Sequence, residues 1–299
     1  MLTIVSSPLP TSYSLLCAVF DNLPVEIFVH CILPHVARDW LYVSRHWHPV
    51  AFCNLLSDIR VQPAAEDNFA IRWASQNGHS KVVALLLADQ RVDPAVYDNS
   101  PIQKAAREGR MEVVKILLGN SRVDPSANHN FAIQIASNAG HVEVVKLLLA
   151  DKRVNPSSKD NDSIRWAARS GHVKVVELLL ADSRVNPAAK DNFAIRWASG
   201  NGHAKIVELL LADSRVNPAA GDNEAIRYAA VNGHVNIVEL LLADSRVNPA
   251  TEDNWAIRSA ALHGHVKVVE LLLADSCVNP VELLLADSVR IGLQHHFDG

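Results

Sequence analysis

Six histidines that each follow a glycine are the first candidates for chemistry in this sequence, because imidazole is a common metal ligand. They lie at multiples of one spacing along the chain: His79, His141, His172, His203, His234 and His265. Two nitrogen ligands of one zinc ion must lie within about 4 Å of each other. Neighbouring helices pack about 8–10 Å apart, so histidines at the same position of successive copies cannot share an ion. We therefore predict hydrogen bonds at helix starts and no metal site.

One glycine-rich stretch, Gly200-Asn201-Gly202, has the spacing that begins a dinucleotide-binding loop. It follows a predicted helix instead of a strand, and Lys205 stands where the third glycine of that loop belongs. The sequence contains no P-loop, no nucleophile elbow and no zinc-protease motif. We therefore predict a protein that is not an enzyme, with no catalytic residues and no cofactor.

The net charge limits the classes of partner that the protein can bind, and the cysteine content indicates its redox compartment. The net charge of −4 gives no attraction to nucleic acid or to an anionic membrane surface. The four cysteines form no Cys-x-x-Cys pair, which favours a reducing compartment over a disulfide framework. Apolar runs stay shorter than the roughly 18 residues of a membrane span. We predict a monomer of the cytoplasm, with the nucleus as the alternative, that binds neither nucleic acid nor membrane.

The elements that position these residues recur every 31 residues along the chain. Glycines from Gly78 to Gly264 and prolines from Pro63 to Pro280 follow this period, as do seven asparagines: Asn68, Asn99, Asn130, Asn161, Asn192, Asn223 and Asn254. Each copy is long enough for two short helices and a turn. One such pair cannot bury its own apolar face, so neighbouring copies must stack.

The copy that ends at Pro218 shows the predicted elements. Asp191 or Asn192 is expected to cap the first helix, and Gly202 to end it, because glycine adopts left-handed backbone freely. Pro218 ends the copy, since the residue before a proline prefers extended geometry. In the second helix, four apolar residues recur at helical spacing and form one stripe: Ile206, Val207, Leu210 and Leu211.

These copies resemble ankyrin repeats. The resemblance rests on the Gly-His pair, the Val-Val and Leu-Leu-Leu that follow it, and the Val-Asn or Val-Asp that closes each copy. Two features depart from the family: the Thr-Pro-Leu-His opening is replaced by sequences such as Phe-Ala-Ile-Arg, and the copy is about two residues shorter than usual. The resemblance implies an all-α ankyrin-repeat solenoid of stacked helix-turn-helix units, with seven repeats over residues 64–279, that binds proteins.

The ends of the chain form separate predicted segments. Residues 1–20 are expected to be a poorly ordered leader, and residues 280–299 a truncated repeat whose lone helix caps the stack. Residues 21–62 resemble an F-box, which implies docking to a Skp-family adaptor; a plain helical cap on the first repeat is the alternative. The residues that would contact the adaptor are Leu23, Pro24, Glu26, Ile27, Ile32, Leu33, Val43 and Trp47.

Sequence differences between the copies indicate where a partner binds. The second helix barely varies, whereas the loop tips and the residues that follow them differ, and free variation favours exposure. We predict that a protein partner contacts the loop tips and the inner helical face through Phe69, Tyr97, Phe131, Lys159, Lys190, Phe193, Glu224, Trp255, Trp73, Trp166, Trp197 and Tyr228. Packing of these rings in the core or on the adjoining loops is the alternative.

A ladder of arginines admits two interpretations. Its members are Arg72, Arg165, Arg196, Arg227 and Arg258, with Gln103 and Gln134 on two rungs. The ladder is either a basic strip for acidic peptides or a set of ion pairs with the aspartates five residues earlier. We favour the ion pairs, because the two sets of charges nearly cancel.

The two resemblances together imply a non-catalytic adaptor. An F-box joined to ankyrin repeats would recruit substrates to a cullin-type ubiquitin ligase, with the repeats holding the substrate. A plain ankyrin-repeat scaffold without a ubiquitin link is the alternative. The sequence does not identify the bound protein.

Overall fold

The computed structural model describes residues 63–278, and every regular element within them is an α-helix. Numbered in chain order, the helices are α1 Ala65–Asn77, α2 Ser80–Ala88, α3 Val96–Arg107, α4 Met111–Leu118, α5 Ala127–Ala139, α6 Val142–Ala150, α7 Ser158–Ser170, α8 Val173–Leu180, α9 Ala189–Gly200, α10 Ala204–Leu211, α11 Ala220–Val231, α12 Val235–Leu242, α13 Thr251–Leu262 and α14 Val266–Leu273. Over the described range they form seven pairs, one for each 31-residue copy.

The chain divides into two compact units, the first ending at Ala127 and the second beginning at Asn128. In the first unit α1 packs on α3 and α2 packs on α4. In the second unit α7, α9, α11 and α13 pack side by side in that order, and the second helices of the pairs do the same. Within each unit, the stacked helix pairs that the period predicts are therefore confirmed.

The α9–α10 pair illustrates the core. Its fully buried residues include Ile195, Ala198, Ile206, Val207 and Leu210. Leu211 is only partly buried, so the buried stripe is narrower than the sequence pattern predicts. On the opposite face of α10, Lys205 Nζ lies 3.0 Å from Glu208 Oε2 in an exposed ion pair.

Each first helix opens with three consecutive residues in left-handed backbone. In α9 these are Lys190, Asp191 and Asn192, with φ of 53°, 55° and 55°. The predicted helix cap is wrong here, because no side chain caps this helix start. The buried amide of Asn192 instead reaches the next copy, where its Oδ1 accepts a 2.8 Å hydrogen bond from the backbone N–H of Asn217. Asparagine suits this position because it tolerates left-handed geometry better than most residues.

The same asparagine bond joins neighbouring helix pairs within each compact unit. In the first unit Asn68 and Asn99 accept from the N–H groups of Asp93 and Asp124, each at 2.7 Å. In the second unit the donors to Asn130, Asn161, Asn192 and Asn223 are the N–H groups of Asn155, Asn186, Asn217 and Asn248. These bonds form an asparagine ladder that ties each first helix to the following loop.

A second link between pairs comes from the arginine of the closing Ser-Arg-Val-Asn-Pro loop. Arg215 Nη1 donates to the carbonyl of Val185 at 2.8 Å, and the same guanidinium pairs with Asp213. Arg184 and Arg246 make the equivalent contacts with the preceding pair. In the last described loop Cys277 stands at this position and carries no such donor.

We expect Cys277→Arg to stabilise the protein by about 0.5–1.5 kcal/mol, the usual contribution of a hydrogen bond. The new guanidinium would reach the Val247 carbonyl, as Arg246 reaches Val216, and would pair with Asp275. Urea unfolding followed by circular dichroism measures the change. Cys277→Lys is the control, because lysine has the charge but not the planar fork. An unchanged or lower urea midpoint for the arginine variant would contradict this account of the link.

The loop ion pairs also predict a pH dependence. A hydrogen bond from the adjacent arginine lowers the pKa of the carboxyl in each pair below its ordinary value: Asp89, Asp151, Asp182, Asp213 and Asp244. The folded state therefore holds the ionised form more strongly than the unfolded chain does. This stabilisation is complete above the ordinary aspartate pKa of 3.8 and is lost as pH falls through the lower folded-state values.

We expect the thermal midpoint to fall as pH is lowered through this acidic range. A double variant, Asp213→Asn with Asp244→Asn, should show a shallower fall, because two of the titrating pairs are gone. Scanning calorimetry of both proteins across the range makes the comparison. Parallel curves for wild type and variant would show that these pairs do not carry the dependence.

Candidate protein-binding surface

The residues predicted to contact a partner lie on the first helices: one group lies on or just after the left-handed turns, and Trp73, Trp166, Trp197 and Tyr228 lie about one turn further along. Lys159 and Lys190 are exposed, and Tyr97 is the most exposed of the aromatic set, at 58%. The other members are partly buried: Phe69, Phe131, Phe193, Trp255, Trp73, Trp166, Trp197, Tyr228 and Glu224. Each compact unit therefore carries half-covered rings with charged loop tips beside them.

In the second compact unit, three of these rings and two arginines form an arginine–aromatic cluster: Trp166, Phe193, Trp197, Arg165 and Arg169. The Phe193 ring stacks on Trp197 at 5.4 Å between centroids and meets Trp166 edge-on at 6.5 Å. Arg165 lies 5.0 Å from the Phe193 centroid, and Arg169 lies 4.8 Å from that of Trp197. Sequence reasoning missed Arg169, because its position varies among the copies and carries arginine in only one other of them, at Arg107.

Carboxylates at two of the variable positions neutralise the arginines next to them. Asp162 forms an ion pair with Arg165, and Glu224 forms one with Arg196. Arg227 approaches Glu224 from the other side at 3.9 Å. Glu224, predicted as a partner contact, is thus engaged inside the surface. The acidic and aromatic residues along this row give Arg165, Arg196 and Arg227 a carboxylate partner each, and Arg165 and Arg227 also lie against a ring.

The arginine ladder makes contacts that neither sequence interpretation predicts. Arg196 Nη1 donates to the backbone carbonyl of Asp191 at 3.0 Å, and Arg258 does the same to Asp253 at 3.1 Å. Among the ladder arginines, all of which lie in the described residues, only Arg196 forms an ion pair with the aspartate five residues earlier. Its Nη1 lies 3.5 Å from Asp191 Oδ2. Gln134 donates to the corresponding carbonyl of His129. Glutamine can replace arginine here because the left-handed turn needs a donor and not a positive charge.

The aspartate side chains of these turns are consequently left at the surface. Asp191, Asp222 and Asp253 are exposed at successive loop tips of the second unit, and Glu252 is exposed beside the last of them. In two earlier tips a lysine stands directly before the aspartate: Lys159 before Asp160, and Lys190 before Asp191. Lys190 Nζ lies 2.9 Å from the carboxylate of Asp160 in the tip before it. The tips around Asp222 and Asp253 therefore carry net negative charge.

The first compact unit has a smaller surface of the same kind. Arg72 lies 5.0 Å from the Tyr97 ring centroid and 5.8 Å from that of Phe69. The Tyr97 hydroxyl donates to the Asp67 carboxylate, and this bond raises the pKa of Tyr97. Trp73 stacks on His79 with centroids 5.2 Å apart.

Comparison with known proteins decides the family. A family model described as ankyrin repeats matches three times, over residues 42–129, 120–191 and 192–282, which is most of the chain. The chain belongs to the ankyrin-repeat family. Among solved structures it is similar to an ankyrin repeat domain from Acinetobacter baumannii AYE, with 22% identity over 59% of this chain and 97% of that one, at a TM-score of 0.49. No curated protein matched.

The histidines of the ankyrin Gly-His pairs link neighbouring helix pairs. His203 Nε2 lies 3.0 Å from the carbonyl of Arg169, and His172 and His234 contact the equivalent carbonyls. Each ring also lies against the glycine of the previous helix pair, so closely that a Cβ on that glycine would overlap it. His203, for example, lies against Gly171. The predicted helix-start bond is thus a bond to the previous pair.

Over residues 63–278 no three His, Cys, Asp or Glu side chains gather closely enough to hold a metal ion. None of the helices in this range is long and apolar enough to cross a bilayer.

The residues predicted to contact an adaptor lie outside residues 63–278. The ankyrin match begins at residue 42 and so overlaps the end of the F-box-like segment, including Val43 and Trp47.

Proposed function

We propose that this ankyrin-repeat protein binds a protein partner along the variable row of its second compact unit, and that its seven helix pairs are seven ankyrin repeats. Ankyrin repeats are protein–protein interaction modules. The choice of surface rests on one observation: the polar residues that recur from copy to copy form their hydrogen bonds within the protein. Six of the seven recurrent asparagines bond the neighbouring pair, as Asn192 does. Loop arginines such as Arg215 and Gly-His histidines such as His203 also bond the neighbouring pair. The variable rings and tip carboxylates remain for a partner.

The chemistry of the surface defines the kind of partner. The arginines are already paired with carboxylates, rings and backbone carbonyls, so an acidic ligand gains little from them. Beside the half-covered rings, the last two tips expose the carboxylates of Asp222, Asp253 and Glu252, whereas a lysine accompanies the aspartate in the two tips before them. A partner segment with apolar side chains flanked by lysine or arginine fits both, because aromatic anchors and complementary charge favour binding.

Charge reversal at the tips tests this proposal. For a partner captured by the full chain, we expect Asp222→Lys with Asp253→Lys to weaken binding about tenfold or more. Glu208→Lys with Glu239→Lys is the matched control, since both glutamates are exposed on the second helices, away from the tips. Titration calorimetry gives the affinities. Equal loss in both variants, or loss only in the control, would place the contact elsewhere.

The N-terminal residue pattern favours a second candidate function. The F-box-like residues from Leu23 to Trp47 would recruit a Skp-family adaptor, and the ankyrin repeats would present a substrate to a cullin-type ubiquitin ligase. Co-precipitation of the full chain with a purified Skp-family adaptor tests this candidate. Binding that persists when Leu23 and Pro24 are both changed to aspartate would exclude it, as would no binding by the wild type.

A further inference from the structure

Charged side chains are unevenly distributed along the first helices of the second compact unit. Helix α7 carries three cationic and two acidic side chains, and α9 carries two and one, so each has a net charge of +1. Helices α11 and α13 each carry one arginine and two acidic side chains, so each has a net charge of −1. The variable row of this unit therefore has a positive half on α7 and α9 and a negative half on α11 and α13.

The positive half presents cations that a ligand can reach. Lys159, Arg169 and Lys190 are all exposed. Lys190 is paired with Asp160, and the Arg169 guanidinium lies 4.8 Å from the centroid of the Trp197 ring. In the described part of the chain neither Lys159 nor Arg169 forms an ion pair, and neither belongs to the arginine ladder. A carboxylate of a ligand can therefore pair with these two side chains without breaking an existing ion pair.

The negative half exposes carboxylates and no cation. Asp222, Glu252 and Asp253 are exposed, whereas the two arginines of α11 and α13, Arg227 and Arg258, are partly buried. Arg227 lies 5.4 Å from the centroid of the Trp255 ring, and Arg258 donates to the backbone carbonyl of Asp253. Because these arginines are engaged, the charge that α11 and α13 offer to a ligand is negative.

Half-covered rings continue along both halves of the row. Trp166, Phe193 and Trp197 lie in the positive half, and Tyr228 and Trp255 lie in the negative half. Neighbouring helices pack about 8–10 Å apart, so the tips of α7 and α13, three spacings apart, are separated by about 24–30 Å. An extended segment rises about 3.3 Å per residue, so about seven to nine residues span this distance.

We propose that the partner is an extended protein segment with acidic residues at one end, apolar residues in the middle and basic residues at the other end. The inference rests on the proposed function and narrows it, because only one flank of the segment is basic. The acidic end pairs with Lys159 and Arg169, the apolar side chains pack on the rings, and the basic end pairs with Asp222 and Asp253. Reversed placement brings like charges together, so the two halves fix the direction in which the segment binds.

Two synthetic peptides test the proposal on the full chain. Both have the same apolar middle; the mixed peptide has two glutamates at one end and two lysines at the other, and the basic peptide has two lysines at each end. We expect the mixed peptide to bind about tenfold more tightly in fluorescence anisotropy, with a smaller difference at high salt, which screens exposed charges. Equal or tighter binding of the basic peptide would overturn this inference and leave the proposed surface standing. Absence of binding by both peptides would also overturn it, whereas the captured partner decides the proposed function separately.

Charge reversal in the positive half tests the direction. Lys159→Glu with Lys190→Glu should weaken binding of the mixed peptide about tenfold and strengthen binding of the basic peptide, because the whole row then becomes negative. Lys174→Glu with Lys205→Glu is the matched control: it makes the same change in net charge at exposed positions of α8 and α10 and should leave both affinities unchanged. Equal effects of the two double variants would show that overall charge, and not the row, controls binding, and would overturn the proposal.

Discussion

Leu210→Ala is expected to lower the free energy of unfolding by about 2–5 kcal/mol, the range for leucine-to-alanine changes in a packed core. Leu210 is fully buried between its own pair and its neighbours. Removing its side chain leaves a cavity and weakens both the pair and its stacking, because each pair of a repeat protein depends on the next. Urea unfolding followed by circular dichroism gives the change in midpoint.

The adjacent leucine provides a matched control. Leu209 is only partly buried, so Leu209→Ala removes the same atoms with a smaller loss, about half of the Leu210 value or less. A similar shift in midpoint for the two variants would contradict the burial assigned to α10.

Asn192→Leu is expected to cost about 2–4 kcal/mol, by two additive causes. The N–H of Asn217 loses its acceptor, and leucine is less tolerant than asparagine of the left-handed backbone at this position. The same unfolding measurement applies. The change should also reduce the cooperativity of unfolding, because the ladder bond joins two helix pairs.

Asp191→Leu separates these causes. Asp191 shares the left-handed turn, with φ of 55°, but its side chain is exposed. Leucine there has the backbone cost, about 1 kcal/mol, and loses in addition only the exposed 3.5 Å pair with Arg196, which contributes little. If both substitutions shifted the midpoint equally, the loss would come from the backbone and not from the ladder.

Much of this fold is predictable from the sequence because its determinants are local and repeated. The 31-residue period defines the helix pairs, and the apolar spacing in α10 identifies Ile206, Val207 and Leu210 as core. Gly202 adopts the left-handed backbone that ends α9, as predicted, with φ of 82°. Seven copies of one pattern make each such assignment independent of any single residue.

The partners of the polar residues could not be predicted in the same way. The sequence predicts Asn192 as a helix cap, yet its Oδ1 accepts a hydrogen bond from the backbone N–H of Asn217, 25 residues later. Arg215 bonds a carbonyl 30 residues earlier, and His203 one 34 residues earlier. These bonds depend on how neighbouring pairs stack, which local spacing does not contain. The contacts of the ladder arginines could not be predicted either. The left-handed turns direct backbone carbonyls toward the guanidinium groups, as Asp191 does toward Arg196.

The central claim is that the recurrent polar residues hold neighbouring pairs together and leave the variable residues for a partner. Residue-resolved hydrogen exchange of the full chain tests it most directly. Asn186, Asn217 and Asn248 are exposed loop residues, yet their N–H groups donate to buried asparagines. We predict that these three amides exchange about a hundredfold more slowly than an unprotected loop amide. Exchange at the unprotected rate would contradict the ladder and the division of roles that rests on it.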